Sequence, residues 1–189
     1  MKIYENIPHD MNKSIYYYSV AANQNDAEAQ FNLGVFYATG ELIPRDINKS
    51  IIYYTLAAKQ NHSRAQCNLG VLYSKGELIP RDINKSIYYF QLSANQNHPR
   101  AQCNLGLLYL KGELIPRDMN KSIHYFSLAA NQNYSDAQYN LAIIYISYKN
   151  IKKAIEYFTL AAYQNNKSSL FILALFSLTG LYIKKNPYN

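Results

Sequence analysis

The chain has 189 residues, 49% of them hydrophobic, and this content excludes a wholly disordered protein. The formal net charge of +7 favours acidic partners in general, among them nucleic acid, membrane surfaces and acidic peptides. The first residues contain no apolar core of a signal peptide. The longest apolar run, 170–183, is shorter than the roughly 20 residues that cross a bilayer, so we expect no transmembrane segment.

A short motif recurs along the chain at a constant interval of 36 residues. Asn-Leu-Gly occupies 32–34, 68–70 and 104–106, and Asn-Leu-Ala follows at 140–142. A strict period of this size indicates stacked copies of one small unit, each of which buries its apolar surface against its neighbours. The sequence therefore predicts a single array of repeats.

Each complete unit begins with one helical pattern. In the second complete unit, Ala65, Leu69, Leu72 and Tyr73 form an apolar stripe at helical spacing. Gly76 is placed to end this first helix, as glycine past a helix end often does. We therefore expect one face of the first helix to lie in the core.

A loop and a second helix complete the unit. The loop contains Pro80, which disfavours helix, and Asp82 is placed to cap the second helix, which continues to Ala94. Asn97 tolerates the left-handed conformation of a helix stop, and Pro99 suits the first position of the next helix. These signals predict one antiparallel helix pair per unit.

The unit boundaries give four complete helix pairs and two half units, ten helices in all. The first half unit has only a second helix and the last has only a first helix. In chain order the predicted units are 1–25, 26–61, 62–97, 98–133, a shortened 134–165 and 166–189.

Small residues and tyrosines recur at fixed places in the units. We expect close helix approach at Gly34, Gly70, Gly106 and Ala142. The tyrosines, 20 in all, recur in the first helices and in pairs such as Tyr53-Tyr54 in the second helices. Their predicted role is to supply bulk with a polar tip where helices meet.

The two cysteines, Cys67 and Cys103, occupy equivalent places in neighbouring units. Packed helix axes lie roughly 8–10 Å apart, whereas a disulfide needs Cα atoms within about 7 Å. We therefore predict two free thiols, a reducing compartment and a cytoplasmic location.

The repeated pattern Ala-x-x-x-Leu-Gly-x-x-Tyr-x-x-Gly, followed by two small residues, resembles the Sel-one-like repeat (SLR) family. In the second complete unit, the matching residues are Ala65, Leu69, Gly70, Tyr73, Gly76, Ser93 and Ala94. The resemblance covers about 7–180 and implies an all-α fold, a right-handed superhelix or solenoid of antiparallel helix pairs related to tetratricopeptide repeats. It also implies adaptor or scaffold activity in protein complexes. The chain departs from the family's usual glycine between pairs by having Asn25, Asn61, Asn97, Asn133 and Asn165.

The first helices are expected to line the concave groove of such a solenoid. If the apolar stripe faces the core, helix geometry places a second stripe beside it, which is our candidate peptide-binding surface. Its asparagine amides suit a peptide backbone. The candidate residues are Asn32, Asn68, Asn104, Asn140, Arg64, Arg100, Lys75, Lys111, Val71 and Leu107, with Ile143 beside them and acidic Glu28 and Asp136 at the flanks.

We hypothesise that the groove binds an extended peptide of a protein partner, with an acidic side chain or terminus near Arg64 and Arg100. Two alternatives stay open. The asparagines would then hydrogen-bond neighbouring helices and hold the stack, and the basic residues would form a solvated face.

The sequence also bears on three other function classes. No catalytic set or phosphate-binding loop is evident, so we expect no enzyme activity, no cofactor and no metal. Nucleic-acid binding is disfavoured because the groove asparagine is constant and no groove aromatic recurs for base stacking. The helix from Leu170 to Phe176 is apolar nearly all round, which predicts a homodimer through it or a missing downstream segment.

Overall fold

The computed structural model of the chain describes residues 11–178 and 180. In these residues all regular secondary structure is α-helix, and the predicted count of ten helices is confirmed. In chain order they are α1 (Met11–Asn23), α2 (Ala27–Thr39), α3 (Ile47–Lys59), α4 (Ser63–Lys75), α5 (Ile83–Asn95), α6 (Pro99–Lys111), α7 (Met119–Asn131), α8 (Ser135–Ser147), α9 (Ile151–Tyr163) and α10 (Lys167–Leu178).

The helices fall into two compact units, Met1–Ser93 and Ala94–Asn189. From here on, "first unit" and "second unit" mean these two parts of the chain, and each helix pair is called a repeat or a pair. In the first unit, α2 pairs with α3 and α4 pairs with α5. In the second unit, α6 pairs with α7, α8 pairs with α9, and α10 packs against α9. Even-numbered helices are the first helices of the repeats and odd-numbered helices are the second.

The helices begin and end where local sequence predicts. Asp82 Oδ1 accepts a hydrogen bond of 3.0 Å from the backbone N–H of Lys85, which satisfies a donor in the first turn of α5. Gly76 follows α4 with a φ of 69°, and Asn97 follows α5 with a φ of 60°. These left-handed residues end the helices because they adopt positive φ at low cost.

Each pair closes on a contact between a small residue and an aromatic ring. A Cβ built on Gly70 in α4 would lie 2.5 Å from Cδ1 of Phe90 in α5, so only glycine fits this backbone position. Ser86 Oγ donates to the Gly70 carbonyl at 2.8 Å beside this contact. The same arrangement joins Gly34 to Tyr54 and Gly106 to Phe126.

The fourth pair closes in a different way. Ala142 in α8 packs with Phe158 and Ala154 in α9, and all three side chains are fully buried. Ala154 stands where the other pairs have serine, so the serine-to-glycine hydrogen bond is absent from this pair. The two alanines replace glycine and serine together.

Stacked tyrosines cover the loop end of each pair. Tyr73 and Tyr89 stack with ring centroids 6.0 Å apart and an angle of 4° between the planes. Lys85 Nζ lies 5.2 Å from the centre of the Tyr73 ring, and burial raises the pKa of Tyr89. The predicted role at helix contacts is confirmed, and the other stacks are Tyr37–Tyr53, Tyr109–Tyr125 and Tyr145–Tyr157.

Buried glutamines link the two helices of a pair to each other and to the helix before them, which the sequence pattern did not indicate. In the first unit, Gln60 Nε2 donates to Gln30 Oε1 at 2.8 Å, and Gln30 Nε2 donates to the carbonyl of Ala22 at 3.2 Å. In the second unit, Gln164 donates to Gln138 at 2.7 Å. These side chains supply polar cross-links at positions where the apolar stripe alone would leave backbone carbonyls unpaired.

Two further predictions concern the thiols and the last helix. Cys67 and Cys103 are buried and form no disulfide, as predicted. Helix α10 exposes large apolar side chains, with Phe171 64% and Leu178 84% exposed. No helix in 11–178 has the length and hydrophobicity needed to span a bilayer.

Candidate functional site

The predicted groove residues lie on the first helices and remain accessible in each unit. In the first unit, Arg64 and Lys75 are exposed, and Asn68 and Val71 are half-buried. The second unit repeats this order with exposed Arg100 and Lys111 and half-buried Asn104 and Leu107. Each unit therefore presents a first-helix surface of mixed apolar, amide and cationic character, which we call the inner-helix face.

Two of the asparagines have side-chain environments that bear on their role. Asn140 Nδ2 donates to the Asp136 carbonyl of its own helix at 2.7 Å, so this bond does not join two helices. Asn104 Nδ2 is enclosed and has no hydrogen-bond partner among the described residues. An enclosed amide donor without an acceptor is rare and costly in folded proteins.

A charged cluster in the first unit joins two successive first helices. Arg64 on α4 donates through Nη2 to Glu28 on α2, and the guanidinium carbon lies 4.4 Å from the centre of the Phe31 ring. His62 Nε2 lies 3.0 Å from the second oxygen of Glu28, and its ring stacks on Phe31 at 4.7 Å. The phenyl ring is thus covered by a cation and an imidazole.

A backbone hydrogen bond indicates the tautomer of His62 in this cluster. His62 Nδ1 accepts from the backbone N–H of Ala65 at 3.2 Å, so the ring proton lies on Nε2 and points at Glu28. The hydrogen bond from His62, followed by that from Arg64, lowers the pKa of Glu28. Sequence reasoning had placed Glu28 at an acidic flank and Arg64 in a cationic centre, whereas the structure pairs them.

The second unit contains a cleft beside the equivalent positions. It has a volume of about 340 Å³ and lies between α8 and α10, lined by Tyr139, Lys167, Ser168, Phe171 and Ile172. Asp136, one turn before Tyr139 on α8, accepts from Asn166 Nδ2 at 3.3 Å. The sequence pattern does not indicate this cleft, although the opposite charges of Glu28 and Arg64, one period apart, are a signal for the related cluster.

These surfaces offer hydrogen bonding, ion pairing and aromatic stacking. Within 11–178 the structure brings together no group of three or more His, Cys, Asp or Glu side chains that could hold a metal ion. Such groups are chemically suited to contact a polar or charged chain segment.

Family profiles and solved structures agree on the type of protein. The Sel1 repeat matches residues 5–26, 27–62, 63–98, 99–134, 135–166 and 167–188. Among curated proteins, no sequence matches the chain. The repeat matches therefore cover nearly the whole chain.

Solved structures show the same architecture. A Sel1 repeat protein from Oxalobacter formigenes is 29% identical, with a TM-score of 0.86 over 94% of this chain and 74% of that protein. A protective antigen of SLR fold from uropathogenic Escherichia coli is also 29% identical, with a TM-score of 0.83 over 88% of this chain. This chain spans 37% of the length of that antigen. The described residues form an all-α fold of antiparallel helix pairs that matches solved SLR structures, and the chain belongs to the Sel1 repeat family.

Proposed function

We propose that this chain is a non-enzymatic adaptor that binds a peptide segment of a protein partner on the inner-helix face of its units. Sel1 repeat proteins are generally protein-interaction scaffolds, which supports the class of function. The exposed and half-buried residues on that face support the location. The partner is a protein or peptide.

The observation that carries the proposal is the unpaired amide of Asn104. Its Nδ2 is enclosed without an acceptor among the described residues, and half-buried Leu107 lies one turn further on the same helix. When the Asn104 side chain turns outward, a peptide carbonyl would satisfy this donor while an apolar side chain covers Leu107. Main-chain hydrogen bonds with side-chain contacts beside them are a common way to bind an extended peptide.

Two lysines argue for a preference for an acidic peptide residue more strongly than Arg64 does. Lys75 and Lys111 are exposed and, among the described residues, have no carboxylate within 4.0 Å. Arg64 is already paired with Glu28, so its charge is largely compensated. We therefore assign the preference for an acidic peptide to Lys75 and Lys111.

Charge reversal on the inner-helix face tests the proposal. Peptides are selected from a displayed random library on the full chain, and the affinity of a synthetic copy is measured by calorimetry. The double variant Lys75→Glu, Lys111→Glu should bind about tenfold or more weakly, because exposed charge pairs contribute up to about 1 kcal/mol each.

The matched control carries the same charge change on the second helices. Lys59 in α3 and Lys152 in α9 are exposed, and Lys59→Glu, Lys152→Glu should leave peptide affinity within twofold. Equal weakening by both double variants would show a non-specific charge effect. Unchanged affinity in the inner-face variant would remove the proposed surface.

Homodimer formation through α10 is a second proposal, which is compatible with the first. It is supported by the exposure of Leu170, Leu175 and Leu178, three apolar side chains that leave the helix without a polar outer surface. Sedimentation should show a concentration-dependent dimer that Leu170→Glu abolishes. A monomer at high concentration would exclude it.

We also propose a cytoplasmic location. Cys67 and Cys103 form no disulfide and are almost fully buried, which is common in proteins that fold in a reducing compartment. Fractionation of source cells with an antibody against the chain would test the location. Recovery from an extracellular or periplasmic fraction would exclude it.

A further inference from the structure

We infer that the cleft between α8 and α10 binds the guanidinium group of an arginine side chain supplied by the partner peptide. This inference rests on the proposed peptide-binding function and names the chemistry of one subsite. It is based on the side chains that occupy equivalent repeat positions in the two compact units.

The first unit shows how these positions hold a cation. Glu28 and Phe31, one turn apart on α2, receive Arg64 from the next first helix. The carboxylate accepts a hydrogen bond from the guanidinium, and the phenyl ring lies 4.4 Å beneath the guanidinium carbon. A planar, delocalised cation suits both contacts.

The second unit keeps the acid and the ring but has no cation at the repeat position of Arg64. Asp136 and Tyr139 on α8 occupy the positions of Glu28 and Phe31, and the position of Arg64 is taken by Ser168 on α10. The cleft of about 340 Å³ opens beside Tyr139 and Ser168. The space that an arginine of the chain fills in the first unit is therefore open to a ligand in the second.

The acid and the aromatic ring occur together only in these two repeats. In the second and third complete repeats, the same two positions are Arg64 with Cys67 and Arg100 with Cys103. The fourth repeat thus has the receiving side chains of the first without a following arginine. This pattern distinguishes the cleft from a gap that recurs between all repeats.

The lining residues fit an arginine with its alkyl stem. Phe171 is 64% exposed and lines the same cleft as Tyr139, so a second aromatic ring is available for stacking. Ile172 offers an apolar contact for the methylene groups. Asp136 accepts only one side-chain hydrogen bond among the described residues, from Asn166, and a carboxylate has further lone pairs for a guanidinium.

Lys167 also lines the cleft and opposes a cation. It is exposed, and among the described residues no carboxylate lies within 4.0 Å of its ammonium group. An acidic residue adjacent to the arginine of the peptide would pair with Lys167. The expected recognition element is therefore an arginine with a neighbouring carboxylate.

A titration of the full chain with small probes tests the subsite. The probes are N-acetyl-arginine amide and its neutral isostere N-acetyl-citrulline amide, followed by the NMR signals of the Tyr139 and Phe171 rings. We expect the arginine probe to shift these signals with millimolar affinity and the citrulline probe to bind about fivefold or more weakly. Asp136→Asn should remove most of that difference, and Lys167→Gln should tighten the arginine probe about twofold.

Two substitutions, which exchange the residues found at this repeat position in the two units, test whether the arginine probe binds in the cleft itself. Ser168→Arg should fill the cleft from within the chain, so that arginine binding is lost and thermal stability is kept. Ser177→Arg adds the same charge on α10 outside the cleft lining and should leave binding within about twofold. Arg64→Ser should open the equivalent site at Glu28 and Phe31 and create a second binding event, visible in the Phe31 signals.

Equal binding of the two probes, or unchanged arginine binding in Ser168→Arg, would overturn the inference. If library peptides still bind the inner-helix face without any dependence on arginine, the inference fails and the proposed function stands. If no peptide binds that face while the arginine probe binds the cleft, the proposed function fails instead.

Discussion

The fit between Gly70 and Phe90 gives the most quantitative prediction for the repeat fold. In the substitution Gly70→Ala, the new Cβ would lie 2.5 Å from Cδ1 and 2.6 Å from Cε1 of Phe90. Ordinary contacts of a Cβ begin near 3.4 Å, so the ring or the helix that carries it must move by about 1 Å. Phe90 is 2% exposed, so its ring is enclosed by other core atoms.

The expected cost combines three contributions. Overpacking a core costs about 1–3 kcal/mol. Displacing α5 also weakens the buried hydrogen bond from Ser86 Oγ to the Gly70 carbonyl, worth about 1 kcal/mol. Alanine favours the helix by roughly 0.5–1 kcal/mol over glycine, which offsets part of this loss. We therefore expect Gly70→Ala to lower the free energy of unfolding by about 2 kcal/mol.

Urea denaturation followed by circular dichroism measures this change, with Ser86→Ala and the double variant completing a double-mutant cycle. The fourth pair already combines Ala142 and Ala154 at these two positions, so the double variant should lose less than the sum of the single changes. The control Ala142→Gly should cost about 1 kcal/mol through helix propensity. A Gly70→Ala protein as stable as the wild type would refute the reasoning.

Three more predictions concern polar and backbone features. Gln164→Ala should lower the free energy of unfolding by about 1–3 kcal/mol, because it leaves the buried Oε1 of Gln138 without its donor; urea denaturation checks this. Asn133, with a φ of 58°, should be replaced by glycine without loss and by alanine with a loss of about 1 kcal/mol, measured in the same way. Since the pKa of Glu28 is lowered by folding, its contribution to stability is present above the unfolded pKa and is lost as pH falls through the folded pKa. Glu28→Gln should remove that part of the acid dependence in denaturation curves recorded below about pH 5.

The fold could be predicted from the sequence because its determinants are local and repeated. Gly76, Asp82, Asn97 and Pro99 each act within one turn of a helix end, and the structure confirms all four. The apolar stripe at Ala65 and Leu69 was likewise found in the core. Because the motif recurs every 36 residues, each repeat gives an independent indication of the same helix boundaries and core face.

The candidate site was less predictable because it depends on contacts between successive repeats. The pairing of Glu28 with Arg64 joins side chains 36 residues apart, and helical periodicity within one repeat does not show it. The burial of Gln66 beside the apolar stripe was missed for the same reason, since its surroundings come from more than one helix. The cleft beside Tyr139 also depends on two repeats, because it opens where Ser168 occupies the repeat position of Arg64.

Photo-crosslinking tests the central claim most directly, namely that peptides bind the inner-helix face. Benzoylphenylalanine is placed in turn at Lys75 and Lys111 on the first helices, and at Lys59 and Lys152 on the second helices, all four of which are exposed. Each variant is irradiated with a peptide selected on the full chain. Crosslinks at 75 or 111 and none at 59 or 152 are predicted, whereas crosslinks confined to 59 or 152 would contradict the account.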